Sequence, residues 1–212
     1  MMHACEAGKD VYVEKPIANT IEECKVMLAA VKKYDRIVQV GQWQRSDPHW
    51  LNALAYVHSG KLGKIRTVRA WAYVTYGKNI PVLPAGNEPE GVDYDLWLGP
   101  APKKAFNPNR FHGGFRNFWD YGGGLMTDWG VHMIDMVLAA MKVDIANAVM
   151  ANGGKYAYPS SAPETPDTSQ AIYDFGDFSM FWEHALGTGT GPYNRSPGEP
   201  GVAFIGTLGK IG

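Results

Sequence analysis

The chain has 212 residues, 45% of them hydrophobic, with 20 basic and 21 acidic side chains and a formal charge of −1. That length buries one substantial core, or one full domain plus part of another, and the composition fits a soluble globular protein. The near-neutral balance gives no electrostatic reason to expect nucleic acid or an anionic membrane as a partner, and no stretch reaches the length of a bilayer span.

The opening "MMHACEAGKDVYVEKP" begins in mid-pattern. Met2 to Ala7 read as the end of a helix closed by Gly8. The sequence therefore reads as the carboxyl part of a longer design, in which any upstream export signal would lie before these residues. Cys5 and Cys24 lack a CxxC spacing and read as free thiols. They favour a reducing compartment, with the cytoplasm as the expected location.

In chain order, "KDVYVEKP" predicts a short strand rich in β-branched and aromatic residues. "TIEECKVMLAAVKKYD" predicts a helix with Thr20 as N-cap and Glu23 completing a capping box. "RIVQVGQW" follows as a second strand. "DPHWLNALAYVHSG" is a second helix, with Asp47 as cap, Pro48 in the first turn and Gly60 as stop. Strand, helix, strand, helix implies an α/β layer with largely parallel strands.

After Gly63 the character changes. "KIRTVRAWAYVTYG" predicts a long strand. Residues 79–114, broken repeatedly by Pro and Gly, read mostly as loop. "GGGLMTDWGVHMID" opens one prominent helix running to about Ala140. "DIANAVMANG" predicts another strand, and "SQAIYDFGDFSMFWEH" a hairpin turning at Gly176-Asp177. "ALGTGTGPYNRSPGEPG" reads as a flexible or surface-wrapping tail, and "VAFIGTLGKIG" as the start of an unfinished sheet edge. The expected fold class is thus α/β: a partial α/β unit over residues 1–60, then an α+β domain over 61–212 with an open, mainly antiparallel sheet. No internal repeat is visible.

Three places carry candidate chemistry. Glu14-Lys15-Pro16 ends a strand, and carboxyl ends of strands in open parallel sheets border ligand crevices. Pro16 biases Lys15 toward an extended backbone, so its ammonium can hold a substrate hydroxyl or share its proton. The plainer alternative is a solvated lysine before a turn. Gln42, Gln44 and Arg45 stand at the next strand end, where Arg45 can meet an anion or form a structural ion pair.

The second place is Asp128, His132 and Asp135, which helical spacing puts on one face. Leu125, Trp129, Met133, Met136 and Val137 supply the apolar side. A carboxylate one turn before an imidazole can orient it and favour its charged form, making a general base. A structural hydrogen bond or an Asp128 cap at the helix start is the alternative. The glycines ahead permit close backbone approach to a ligand. An Asp/His pair gives only two ligands and no other histidine has metal spacing, so no metal is expected.

The third place is the run from Arg110 to Tyr121, dense in aromatic and hydrogen-bonding side chains. It suits a sugar-like ligand, with Arg116 and Asn117 as hydrogen-bonding groups and Trp119 or Tyr121 covering a face; an Ω-loop anchored by its own aromatics fits equally. Several apparent motifs fail. "GTGTGPYN" lacks the flanking strand and helix of a dinucleotide fingerprint, and "GKLGK" lacks P-loop spacing. Asn194-Arg195-Ser196 is a weak glycosylation triplet.

"AGKDVYVEKPIANTIEEC", "GQWQR" and "GGGLMTDWGVHMID", with "DYDLWLGPAP" and "FRNFWDYGGG" between them, resemble the glucose–fructose oxidoreductase, inositol dehydrogenase and rhizopine catabolism (Gfo/Idh/MocA) family. The resemblance covers essentially the whole chain. It implies the last portion of a Rossmann domain followed by an α/β domain whose open sheet makes homo-oligomer contacts. It implies hydride transfer between NAD or NADP and a sugar, cyclitol or related polyol. The alternatives are NAD-dependent glycoside cleavage through transient oxidation, and a non-catalytic binding or subunit-contact module. By resemblance, Lys15, Asp128 and His132 are catalytic: His132 takes the hydroxyl proton, Lys15 positions the reacting oxygen, and Asp128 binds substrate or tunes His132. Glu14, Lys15, Pro16 and Gln44 would border the cofactor; Arg45, Arg116, Asn117, Trp119 and Tyr121 would face the substrate. The family's glycine-rich turn and ribose-reading acid are absent from these residues. The expectation is that the chain alone binds no dinucleotide and is inactive, and that the two segments act across a shared cleft.

Overall fold

The computed structural model describes residues 1–75, 78–188 and 199–212. Most of the glycine-rich 187–194 stretch and the Asn194 triplet fall outside the described residues. The chain divides into two compact units, Met1–Leu51 and Asn52–Gly212.

The first unit contains α1 (Met2–Glu6), β1 (Val11–Val13), α2 (Ile21–Tyr34) and β2 (Val38–Val40). The strands pair in parallel, Val11 opposite Val38 and Val13 opposite Val40. The connecting helix starts where Thr20 and Glu23 form the expected capping box: Thr20 Oγ1 accepts from the Glu23 N–H at 3.2 Å, and Glu23 Oε2 accepts from the Thr20 N–H at 2.9 Å. Acids fill its first turn and Lys32 and Lys33 its last, both favourable to the helix dipole. Asp35, at φ 51°, ends it in a left-handed turn. A 3₁₀ turn, Trp43–Ser46, follows β2 and leads into α3 (Pro48–His58), through which the division between the units passes.

The second unit is built on β3 (Ile65–Val74), β4 (Ala148–Gly154), β5 (Thr168–Asp174), β6 (Ser179–Leu186), β7 (Gly201–Gly206) and β8 (Lys210–Ile211). Their spatial order is β4-β5-β6-β3-β7-β8. Only the β3–β6 pair is parallel; the other four are antiparallel, and the sheet is open. The Gly176 turn forms the predicted β5–β6 hairpin, with Gly176 at φ 79°. The sequence ending "VAFIGTLGKIG" is not simply an edge: β7 lies between β3 and β8, and β8 takes the border.

The helices of this unit are α4 (Tyr94–Leu98), α5 (Leu125–Asp128) and α6 (Gly130–Met141). Met133, Met136, Val137 and Ala140 recur at helical spacing on α6 and are buried. The buried residues Val68 and Ala70 of β3 pair with Phe204 and Val202 of β7, and α6 packs against both strands. Met180 and Trp182 extend the core along β6. His58 Nε2 meets the Ala140 carbonyl at 2.9 Å, tying the ends of α3 and α6. On the opposite sheet face, Met150, Ile172, Phe181 and Arg69 are successive cross-strand neighbours. Met150 is 69% and Ile172 38% exposed.

One expectation changes. The single helix expected from Gly122 to Ala140 is two helices meeting at Trp129. Residues 79–114 are mostly loop, as expected, with one short helix inside: Asp93 Oδ1 accepts from the Leu96 N–H at 2.8 Å and starts α4. This short helix carries Trp97 into an aromatic cluster.

Candidate active site

Trp97 organises the segment before the glycine turn. Its ring lies 5.6 Å from both Tyr94 and Tyr121, and 5.3 Å from Phe111; Phe106 packs on Tyr94 and Phe111. Such mutual packing explains how a Pro- and Gly-broken stretch holds one shape. Tyr121 belongs to this cluster. Burial raises its hydroxyl pKa, with the nearby Tyr94 hydroxyl adding to the effect and Arg110 opposing it.

The glycines make room for atoms of the protein itself. A Cβ on Gly122 would lie 2.9 Å from the Arg116 carbonyl oxygen, and one on Gly123 would lie 2.6 Å from Thr127 Cγ2. On Gly124, at φ 63°, it would meet Thr165 Oγ1 at 2.5 Å. The close approach is therefore to the protein's own Arg116, Thr127 and Thr165. The Gly124 N–H also donates to the Arg116 carbonyl at 2.8 Å. Together these contacts anchor the start of α5 to the loop before it.

That anchor brings Arg116 and Asp128 together: Arg116 Nε stands 3.4 Å from Asp128 Oδ1. Arg116 also donates from Nη1 to the Gly113 carbonyl, and its guanidinium lies 4.8 Å from the Phe115 ring centre. A guanidinium held in this way can fix the carboxylate's direction. His132, in the first turn of α6, is 6% exposed, with its ring 6.0 Å from that of Trp129. Asp135 is half-buried one turn further on.

Asn117 and Trp119 sit on the same loop. The Asn117 carbonyl accepts from the Glu164 N–H at 2.8 Å and the Thr165 N–H at 3.3 Å. Trp119 is 55% exposed, while its backbone N–H donates to Glu164 Oε2 at 3.0 Å. Sequence reasoning missed Glu164, because nothing in an isolated Pro-rich stretch signals a partner 45 residues away.

In the first unit, β1 and β2 end side by side, and the Gly41 N–H donates to the Val13 carbonyl at 2.8 Å. Lys15 is half-buried, and its bond to Pro16 is cis. A Cβ on Gly41 would lie 2.7 Å from Glu14 Oε2, so the glycine makes room for that carboxylate. Gln44 is 2% exposed, and its Oε1 has no hydrogen-bond partner among the described residues. Arg45 is exposed. No metal-holding group of three His, Cys, Asp or Glu side chains occurs among the described residues.

Residues 1–42 match the NAD-binding Rossmann fold of an oxidoreductase family, and residues 59–152 match that family's C-terminal alpha/beta domain. The chain belongs to the Gfo/Idh/MocA oxidoreductase family. An uncharacterized oxidoreductase of Bacillus subtilis (strain 168) is 27% identical over 169 residues, 80% of this chain and 38% of that protein. The scyllo-inositol 2-dehydrogenase (NAD(+)) of the same strain is 38% identical over 64 residues, 30% of this chain and 19% of that protein. The crystal structure of the WlbA dehydrogenase from Bordetella pertussis, in complex with NADH and UDP-GlcNAcA, superposes with a TM-score of 0.68 at 19% identity. That superposition covers 99% of this chain and 54% of the other. The chain thus spans about half of that solved relative.

Proposed function

We propose that this chain serves an NAD(P)-dependent oxidoreductase that moves hydride between a nicotinamide cofactor and a hydroxyl-bearing carbon of a sugar, cyclitol or related polyol. The observation that carries this reading is the Arg116–Asp128 pair held beside the glycine turn, one helical turn before the buried His132. In this reading His132 accepts the hydroxyl proton as general base, and Asp128 receives a neighbouring substrate hydroxyl or orients the imidazole. Lys15 holds the reacting oxygen and stabilises charge that develops on it. Asn117 and Trp119 supply the hydrogen bonds and apolar cover expected for a ring bearing many hydroxyls.

The residues at the carboxyl ends of β1 and β2 fit the edge of a dinucleotide. Gln44 brings a buried amide oxygen without a partner among the described residues, and Glu14, Lys15 and Pro16 line the adjoining strand end. A bound NAD or NADP would supply the hydride acceptor or donor. The 212 residues contain no strand-flanked GxGxxG turn to hold a diphosphate, so isothermal titration of the chain alone is expected to show no micromolar NAD or NADP affinity. The open sheet face around Met150 and Ile172 would serve contact with a second copy; Met150→Asp would then shift the sedimentation coefficient toward monomer.

The decisive assay joins these residues to a complete Rossmann domain and follows NADH formation over a polyol panel. Lys15→Met and His132→Gln are each expected to lower turnover about 10²–10⁴-fold with the melting curve nearly unchanged. Parental turnover in either variant, or no dinucleotide-dependent turnover with any polyol, would sink this reading.

A further inference from the structure

Glu164 grips the loop that carries Asn117 and Trp119 at several atoms. Its N–H donates to the Asn117 carbonyl, its Oε2 accepts from the Trp119 N–H, and its Oε1 stands 3.7 Å from Arg110 Nη2. Arg110 in turn lies 5.3 Å from the Phe118 ring centre, so the side chains on both flanks of the grip are held as well. The next residue, Thr165, donates its own N–H to Asn117 and fills the space beside Gly124. Two consecutive residues therefore brace the loop at 117–119 and the glycine that starts α5.

The loop's backbone is held while Trp119 as a residue stays more than half exposed. An indole on a clamped backbone presents a broad apolar face with a polar N–H at its edge. A ring held outward in this way is prepared to cover an apolar face of a ligand without losing backbone freedom on binding.

We propose that Glu164 is a positioning residue that sets Asn117 and Trp119 for a polyol ring, a role that rests on the polyol reading above. The distinguishing feature is the acceptor oxygen toward the Trp119 N–H. Glutamine keeps an acceptor there and loses only the charge opposite Arg110; alanine loses both.

The test compares Glu164→Ala and Glu164→Gln with the unsubstituted protein, each joined to the complete Rossmann domain used in the turnover assay. It measures amide hydrogen exchange at Trp119, melting temperature, and binding of the polyol panel, myo-inositol included, in the presence of NAD. Glu164→Ala is expected to speed Trp119 exchange about tenfold and weaken polyol binding about tenfold. Glu164→Gln should restore most of both and melt above Glu164→Ala, because it loses the charge facing Arg110 but keeps the bond from the Trp119 N–H. Unchanged exchange in Glu164→Ala overturns the clamp. Equal weakening of binding in both variants, in step with melting, reduces Glu164 to a structural ion pair and overturns the proposal. If the unsubstituted joined protein binds no polyol of the panel while exchange still responds to Glu164→Ala, the polyol reading falls and takes the positioning role with it.

Discussion

In the first unit, β1 and β2 are three residues each, run parallel, and leave Tyr12 and Ile37 largely exposed. In the second, β3 has ten residues, lies between β6 and β7, and buries Val68, Ala70 and Ala72 completely. The difference follows from what each kind of sheet requires. A parallel pair needs cover on both faces, whereas a mostly antiparallel sheet needs a packed layer on one. The second unit supplies that layer from α6. Order in the first relies more on local devices, such as the capping box of α2 and the salt-bridging of Arg36 with Asp10.

This contrast can be broken by denaturation experiments. Trp182→Ala empties the centre of the second unit's core and should cost about 3–5 kcal/mol in urea unfolding. Ile37→Ser removes an exposed side chain and should stay within about 0.5 kcal/mol. Comparable losses in the two variants would show that the first unit buries more than its exposed side chains indicate.

Gly124→Ala comes next, because it adds a Cβ against Thr165 at a backbone conformation that L side chains disfavour. A loss of about 1–3 kcal/mol is expected, seen as a lower melting temperature. An unchanged melting temperature would mean that Thr165 and the turn shift freely.

The third effect is a slope with pH. His184 is buried on β6; Trp182 Nε1 donates to its Nδ1 at 3.2 Å, and its Nε2 faces the Pro166 carbonyl at 3.3 Å. Those partners assign the neutral tautomer with the proton on Nε2. Burial lowers the imidazole's pKa, although the Pro166 carbonyl and Asp167 pull the other way. The unfolded chain therefore takes up a proton first, so stability falls as pH drops below the ordinary histidine value of 6.5. His184→Gln should flatten the melting profile between neutral pH and about 5. Asp167 extends the loss at lower pH. Burial alone would raise its pKa, but hydrogen bonds from the Tyr156, Ala157 and Tyr158 N–H groups and from the Thr168 hydroxyl outweigh that and lower it. Its contribution disappears as acid protonates the carboxylate.

Thr20→Ala should have the smallest effect among the substitutions expected to destabilise, about 1 kcal/mol, confined to exchange protection over residues 21–34. A global shift in melting would join the two units energetically and weaken the contrast between them.

The features legible in the sequence were local ones. The capping box needs only Thr20 and Glu23, and the β5–β6 hairpin only a turn between alternating runs. Helix α6 announced itself through Met133, Met136 and Val137, but its separation from α5 at Trp129 did not, because Asp128 and His132 keep nearly helical spacing through the junction. The candidate site was readable as residue types. Residue types alone do not show that Arg116 pairs with Asp128 or that Tyr121 packs on Trp97. Glu164 escaped notice because its partners, Asn117 and Trp119, become neighbours only after distant segments meet.

The parallel pairing of β3 with β6 also determines the order in which the second unit can be completed. Thr67 must wait for Ser179, made more than a hundred residues later, and for Ile205 on its other side. During synthesis the apolar middle strand leaves the ribosome well before either hydrogen-bonding neighbour exists. Nascent chains of this kind spend that interval open to misassociation, which makes chaperone supply and translation speed the first variables to adjust when the protein is produced.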